Sequence, residues 1–340
     1  MMKPWFYDDF CCTAAECGDN CCIGWEIDID EAAMSRFRNV PGEFGERLRS
    51  AIHGGEQPTF ALSAGDRCAL LREDGLCELI LHCGEESLCD ICALHPRFFN
   101  ELGGVREAGL GLCCEEVCRL LFSRSEPMEF LLSDEDRAAI SRETGRTAAF
   151  RRVRELLTGI LQDRSLPIIQ RLSKCAQYGW EIQERTEELS SQQPEIPQPP
   201  HEWQDITQRD EIDRIFDLLS DMEDINDEWT ELFKLLYENR RRLSETLPEY
   251  LSSAGDEWRY EHIAVYCLYR QFTDCAEDML IYAHTMLALC SAVVVMMMDC
   301  LVWLDTGGIT EWQRILNLKL YSKQVEYSQE NIDLFLEEYC

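Results

Sequence analysis

The stretch Met279-Leu-Ile-Tyr-Ala-His-Thr-Met-Leu-Ala-Leu-Cys-Ser-Ala-Val-Val-Val-Met-Met-Met298 runs twenty residues without an Asp, Glu, Lys or Arg and stops at Asp299. That length suffices to cross a bilayer as a helix. Yet His284, Thr285 and Ser291 interrupt it, and no basic cluster flanks it to set a topology. Asp274, Glu277, Asp278, Asp299 and Asp305 surround it instead. A helix apolar on all sides and flanked by acids reads as the buried core of an all-α body, with membrane contact the lesser alternative.

Working outward, residues 257–306 and 311–338 complete a bundle. Upstream, Ile212, Ile215, Phe216 and Leu219 form one apolar stripe at helical spacing; Leu232, Leu235, Leu236 and Leu243 form another. Arg240-Arg241-Arg242 is the one basic cluster here and reads as a solvated helix end near a C-terminus. Residues 191–203 are rich in Pro and Gln and read as a linker. Residues 126–190 are helical again. Phe150, Val153, Leu157, Ile160 and Leu161 recur at helical spacing, Ser133 stands as an N-cap before Asp134-Glu135-Asp136, and Pro167 marks a break. The expected division is a cysteine-rich domain at 1–125, a helical segment at 126–190, the linker at 191–203 and an α-helical domain at 204–340.

Thirteen of the nineteen cysteines lie in the first 118 residues. Turn signals such as Gly18-Asp19-Asn20, Asp74-Gly75 and Gly103-Gly104 punctuate that region. A small irregular domain is expected, with short helices at 31–38 and 43–52 parted by Pro41-Gly42. The opening Met-Met-Lys-Pro-Trp-Phe-Tyr-Asp-Asp carries no export signal, so the expected compartment is the reducing cytosol, where structural disulfides are rare. An odd cysteine count also cannot pair fully. Metal or iron–sulfur ligation is the expectation, with redox or merely buried thiols as the alternative.

Lys+Arg is 32 against Asp+Glu 64, a net charge of −32. Such a surface repels nucleic acid and anionic lipid and suits either a basic partner or solubility. No Gly-x-Gly-x-Gly follows a strand, and no His-Glu-x-x-His is present. The spacing Cys-x3-Cys-x2-Cys fails because position 24 is Gly24.

The cysteines fall in an ordered string. An aromatic residue near the first cysteine precedes Cys17-x3-Cys21-Cys22-x2-Trp25-x-Ile27, then Cys68-x-Leu70-Leu71, Gly75-x-Cys77-x-Leu79 and Gly84-x3-Leu88-x3-Cys92-x3-Pro96-Arg97. Cys114-x-Glu116-Val117-x-Arg119-Leu120 follows. In the helical half stand Glu261-x4-Tyr266-x2-Tyr269-Arg270 and Glu326-x-Ser328-x2-Asn331. Together these resemble the flagellin lysine-N-methylases, the FliB family, which is similar to a wider set of cysteine-rich zinc- or iron-chelating proteins. His262 departs from the family's usual Asn, and Tyr327 from its usual His.

The resemblance implies a cytoplasmic enzyme that methylates lysines of flagellin, or of another lysine-bearing protein, with S-adenosylmethionine, and that carries an iron–sulfur cluster. A 4Fe-4S cluster would draw four ligands from Cys17, Cys21, Cys22, Cys68, Cys77, Cys92 and Cys114, with zinc as the alternative. Cys11, Cys83, Cys89, Cys113 and Cys118 stand outside the pattern. The helical motif points to Tyr266, Tyr269, Arg270 and Glu261 as catalytic residues. On a helix His262, Tyr266, Tyr269 and Arg270 share one face with Glu261 at its edge, and desolvation beside a phenol or carboxylate helps a lysine lose its proton. The same spacing fits core aromatics with satisfied hydroxyls and an arginine paired to a buried acid. No motif marks the S-adenosylmethionine pocket. Two other classes stay open: a non-catalytic zinc- or iron–sulfur-binding protein in metal handling or redox sensing, and an interaction protein whose acidic surface binds a basic partner.

Overall fold

The computed structural model describes all residues but 19, 56, 190–195, 226 and 255 and the side chains of 187 and 188. It is mainly helical, and the apolar stretch is its centre. That stretch lies in the helix Ile281–Thr306, hereafter the core helix, in which Ile281 and every residue from Ala283 to Cys300 is buried. Five helices pack on it: Ile168–Gln183, Asp227–Ala254, Glu257–Gln271, Glu311–Val325 and Gln329–Glu338. The core helix is long and apolar enough to cross a membrane, but its faces are covered by protein. Two of its polar interruptions are satisfied within the helix. The Thr285 and Ser291 hydroxyls donate to the Ile281 and Leu287 carbonyls at 2.7 and 2.9 Å. Asp299 is buried, and accepts from Tyr260 at 2.8 Å, Arg314 at 3.0 Å and Asn317 at 2.8 Å. A buried carboxylate needs such a set of donors to stay ionised.

Within 257–306, Glu257–Gln271 ends, a short turn Cys275–Asp278 follows, and Met279 at φ 66° reverses the chain into the core helix. Two local readings are corrected. Leu235 is exposed, because the buried seam of Asp227–Ala254 runs through Trp229, Leu236, Leu243 and Tyr250. The arginine triplet sits in the middle of that helix, where Arg240 and Arg241 hold Asp213 of the neighbouring helix at 2.7 and 2.6 Å. A partner acid, not a helix end, accounts for the basic cluster.

Other expectations hold. Ile212, Ile215, Phe216 and Leu219 are all buried. Ser133 caps Asp134–Ile140 by accepting from the Asp136 N–H. Pro167 separates Gly145–Leu161 from Ile168–Gln183. Of the linker, residues 191–195 lie outside the described residues, and 196–203 hold no helix or strand. That stretch is tied down by the Tyr178 hydroxyl, which donates to the Pro197 carbonyl at 2.8 Å.

A second, smaller apolar core lies in the cysteine-rich half. Ile27, Ile29, Phe37, Leu48, Phe60 and Leu79 build it, with Cys68 and Cys89 among them. The short helices Glu31–Arg38 and Gly42–Ser50 supply two of its walls. From Leu110 onward the chain packs into the large core instead. Between the two runs a hairpin, Arg97–Leu102 with Val105–Leu110, turned by Gly103 and Gly104 at positive φ.

Candidate metal centre and its junction with the helical body

Local backbone geometry gathers the thiols. An isolated bridge pairs Ile23 with Arg67, and the Cys68 N–H donates to the Cys22 carbonyl at 2.8 Å, so two distant segments bring these cysteines side by side. A tight turn through Gly75 pairs Leu71 with Cys77. Cys77 then starts the helix Glu78–Cys83, and Cys89 starts Asp90–Leu94. Cys22, Cys77, Cys83 and Cys92 pack on the small core that contains Cys68 and Cys89.

These thiols act on one another electrostatically. The hydrogen bond with Cys21 is the largest cause pushing the Cys22 thiol up, followed by burial and the charges of Cys21, Cys68 and Cys77. Cys92 is likewise pushed up, first by its hydrogen bond with Cys89, then by burial and by Cys89, Cys22 and Cys68. The same bond holds Cys89 below its ordinary value. Burial raises Cys68, while the N–H groups of Leu70 and Leu71 turn toward its sulfur and oppose the rise. Amide donors aimed at sulfur favour a thiolate, and a cation replacing the shared protons would relieve the mutual repulsion. This donor set fits a thiolate-bound zinc or iron–sulfur group.

The structure therefore brings together Cys22, Cys68, Cys77 and Cys92, and adds Cys89, which the sequence pattern left out. The Cys89-x2-Cys92 spacing was the signal for it. Cys21 lies between groups: it bonds Cys22, and its charge and that of Cys12 act on Cys114. Burial lifts Cys114 to about 11, opposed by the Val117 and Glu116 N–H groups. Cys17 is half-exposed, and Cys11 is exposed. Cys113 and Cys118 belong to the large core's side; burial lifts Cys113 to about 12, and the Cys118 thiol donates to the Leu112 carbonyl. Arg97 stacks on Phe10, its guanidinium 5.3 Å from the ring centre.

The helix Glu257–Gln271 carries the other candidates. Its face meets the hairpin. The Tyr266 hydroxyl donates to the Leu110 carbonyl at 2.7 Å and accepts from the Leu110 N–H at 2.6 Å. The Tyr269 hydroxyl lies 3.0 Å from the carbonyls of both Met2 and Ala108. Arg270 pairs with Glu326 at 2.8 Å, and its own carbonyl accepts from Asn100. His262 sets its ring nitrogens against the Leu121 and Glu126 carbonyls at 3.1 and 2.8 Å. Burial pushes both phenols far up, so they stay protonated. Glu261 is set apart, wholly buried between Arg164 at 2.8 Å and Arg171 at 2.6 Å. Tyr266, Tyr269 and Arg270 thus share one surface, Glu261 does not, and all four are engaged with other groups.

Where the two halves touch, Trp25 packs on Tyr327 with ring centres 5.5 Å apart, and the Gly18 N–H donates to Glu115 at 2.7 Å. Tyr327 reaches over Gly111, where a Cβ would lie 1.6 Å from its hydroxyl oxygen. Two carboxylate oxygens buried here, Glu115 Oε2 and Glu326 Oε1, have no hydrogen-bond partner. Glu115 did not stand out in the sequence, as one of 64 acids, whereas Glu326 opens the Glu326-x-Ser328-x2-Asn331 pattern, whose spacing gives no sign of burial.

Fold and site define a cysteine-rich helical-bundle protein whose thiol cluster abuts the bundle. Residues 154–339 match the family described as FliB lysine N-methylase C-terminal domain, which is more than half of the chain, and the chain belongs to that family. Lysine-N-methylases of Salmonella choleraesuis and Salmonella typhimurium are each 28% identical over 153 residues, 42% of this chain and 35% of theirs. The flagellar biosynthetic protein FliU of Salmonella muenchen is 27% identical over 137 residues, 38% of this chain and 80% of its own. The aligned part therefore spans about a third of the two lysine-N-methylases. No solved structure matches.

Proposed function

We propose that this chain is a protein lysine N-methyltransferase that uses S-adenosylmethionine, acts on flagellin in the cytoplasm and carries a 4Fe-4S cluster. The match of residues 154–339 to the FliB lysine N-methylase C-terminal domain carries this reading. The names of the Salmonella relatives support the substrate and the reaction. The convergence of Cys22, Cys68, Cys77, Cys89 and Cys92 supports the cluster. Four of these thiolates would hold it, and when bound it would supply redox or structural chemistry beside the bundle.

The rest falls to the chain's own residues. We place the acceptor lysine at the junction, beside the buried Tyr266 and Tyr269 and the largely buried Arg270, where the unpartnered Oε1 of Glu326 suits an ammonium group. Tyr266 and Tyr269 fix the walls rather than move protons. An acidic exterior draws in a basic substrate. One open cleft of about 690 Å³ is lined by Asp210, Asp213, Asp217, Asp221, Glu337 and Glu338, with Arg214, Leu218 and Leu334 among them, and its excess of acids would serve as a landing surface. Co-expression with flagellin tests the reading: peptide mass spectrometry should find methyl-lysine with the wild type and lose it with Glu326→Gln. Unmodified flagellin beside well-folded wild-type protein would overturn it.

A further inference from the structure

The corner between Glu257–Gln271 and the core helix holds a donor set that the methyltransferase reading does not use. The Cys275 Sγ, one Asp278 carboxylate oxygen and one imidazole nitrogen of His284 all lie within 4.8 Å of one another. They come from Cys275-x2-Asp278-x5-His284, across the reversal at Met279. We propose that Cys275, Asp278 and His284 form a binding site for a single zinc-class divalent cation.

The donors argue for that ion. A thiol, an imidazole and a carboxylate together suit zinc, whereas calcium and magnesium prefer oxygen alone. Ligand atoms about 2.0–2.3 Å from one tetrahedral ion stand roughly 3.5 Å apart, so closing the site takes side-chain adjustment of only about 1 Å. The imidazole is nearly sealed, at 2% exposure, with Asp278 on its Nε2 at 2.6 Å. Its Nδ1 is buried with no hydrogen-bond partner. A buried ring nitrogen left unmatched is uncommon. The Asp278 side chain is 33% exposed, which gives an ion a way in and leaves a coordination position for water. Asp274 adds negative charge beside His284. The nearby cation Arg154 is already neutralised by Glu107 at 2.5 Å.

Such an ion would pin the reversal that launches the core helix. It is separate from the cysteine-rich centre and does not rest on the methyltransferase reading. The test uses the full chain with iron and sulfide already loaded. Zinc chloride is titrated in, and bound zinc, iron and thermal midpoint are measured. One zinc per chain beyond the cysteine-rich half should bind and raise the midpoint. Asp278→Asn keeps an oxygen for the Leu280 N–H and is half-exposed, so it should stay folded yet bind this zinc at least tenfold more weakly, with iron unchanged. Cys275→Ser and His284→Asn should do the same where they fold. No extra zinc on the wild type, or equal binding and equal stabilisation in folded Asp278→Asn, would overturn the site.

Discussion

The hydroxyl of Tyr266 closes on both backbone groups of Leu110, 2.6 Å from its nitrogen and 2.7 Å from its oxygen. One side chain thereby satisfies the end of the hairpin that separates the thiol cluster from the bundle. Tyr266→Phe would leave a buried N–H and a buried C=O without partners, at a cost of about 1–3 kcal/mol per unpaired group. Denaturant unfolding should show that loss, with iron and sulfide content unchanged. An unaltered midpoint would show that water replaces the hydroxyl.

Two apolar cores predict two responses to metal loss. The small core has few large side chains, and a bound metal would lend it binding energy as folding energy. Cys89→Ser and Cys92→Ser should lose the cluster and melt the cysteine-rich half early, while the helical signal of the bundle persists. Cys11→Ser, at an exposed thiol, should keep full iron content. Equal iron in all three variants would remove Cys89 and Cys92 from the ligand set.

The mainly helical fold was legible because burial writes itself as period, and the acids that flank the apolar run, with no basic cluster beside them, point to a protein surround. The Leu235 and Arg240 readings failed for a related reason. Neighbouring apolar residues look alike in a sequence, and only the seam through Trp229, Leu236, Leu243 and Tyr250 decides which one turns inward. Pairing between distant residues leaves no trace in spacing. Asp213 with Arg241, Glu261 with Arg171 and Leu110 with Tyr266 are all of that kind. Cys89 is different, since its Cys-x2-Cys spacing with Cys92 is visible in the sequence.

His262 predicts acid sensitivity. Burial holds its pKa below the ordinary 6.5 despite the two carbonyls beside it. As pH falls through about 6.5 the unfolded chain takes up a proton there and the folded chain does not. The unfolded state then binds more protons, so stability declines as pH drops below that point and stops declining under the folded pKa. His262→Asn should flatten stability between about pH 7 and pH 5. An identical pH profile in the variant would assign the sensitivity elsewhere.

Gly111 predicts a steric lock. A methyl group there would lie 1.6 Å from the Tyr327 hydroxyl oxygen, so Gly111→Ala must push the ring off Trp25 or shift the hairpin. Overpacking of this kind costs about 1–3 kcal/mol. Adding Tyr327→His, a shorter ring, should recover part of the loss in thermal unfolding. No recovery in the double variant would place the strain in the backbone.

The central claim is methyl transfer to lysine. Anaerobically loaded full-length protein, incubated with methyl-labelled S-adenosylmethionine and purified flagellin, should place label on flagellin lysines, and Cys92→Ser should abolish it. Loaded, folded protein that leaves flagellin unlabelled under those conditions would contradict the account.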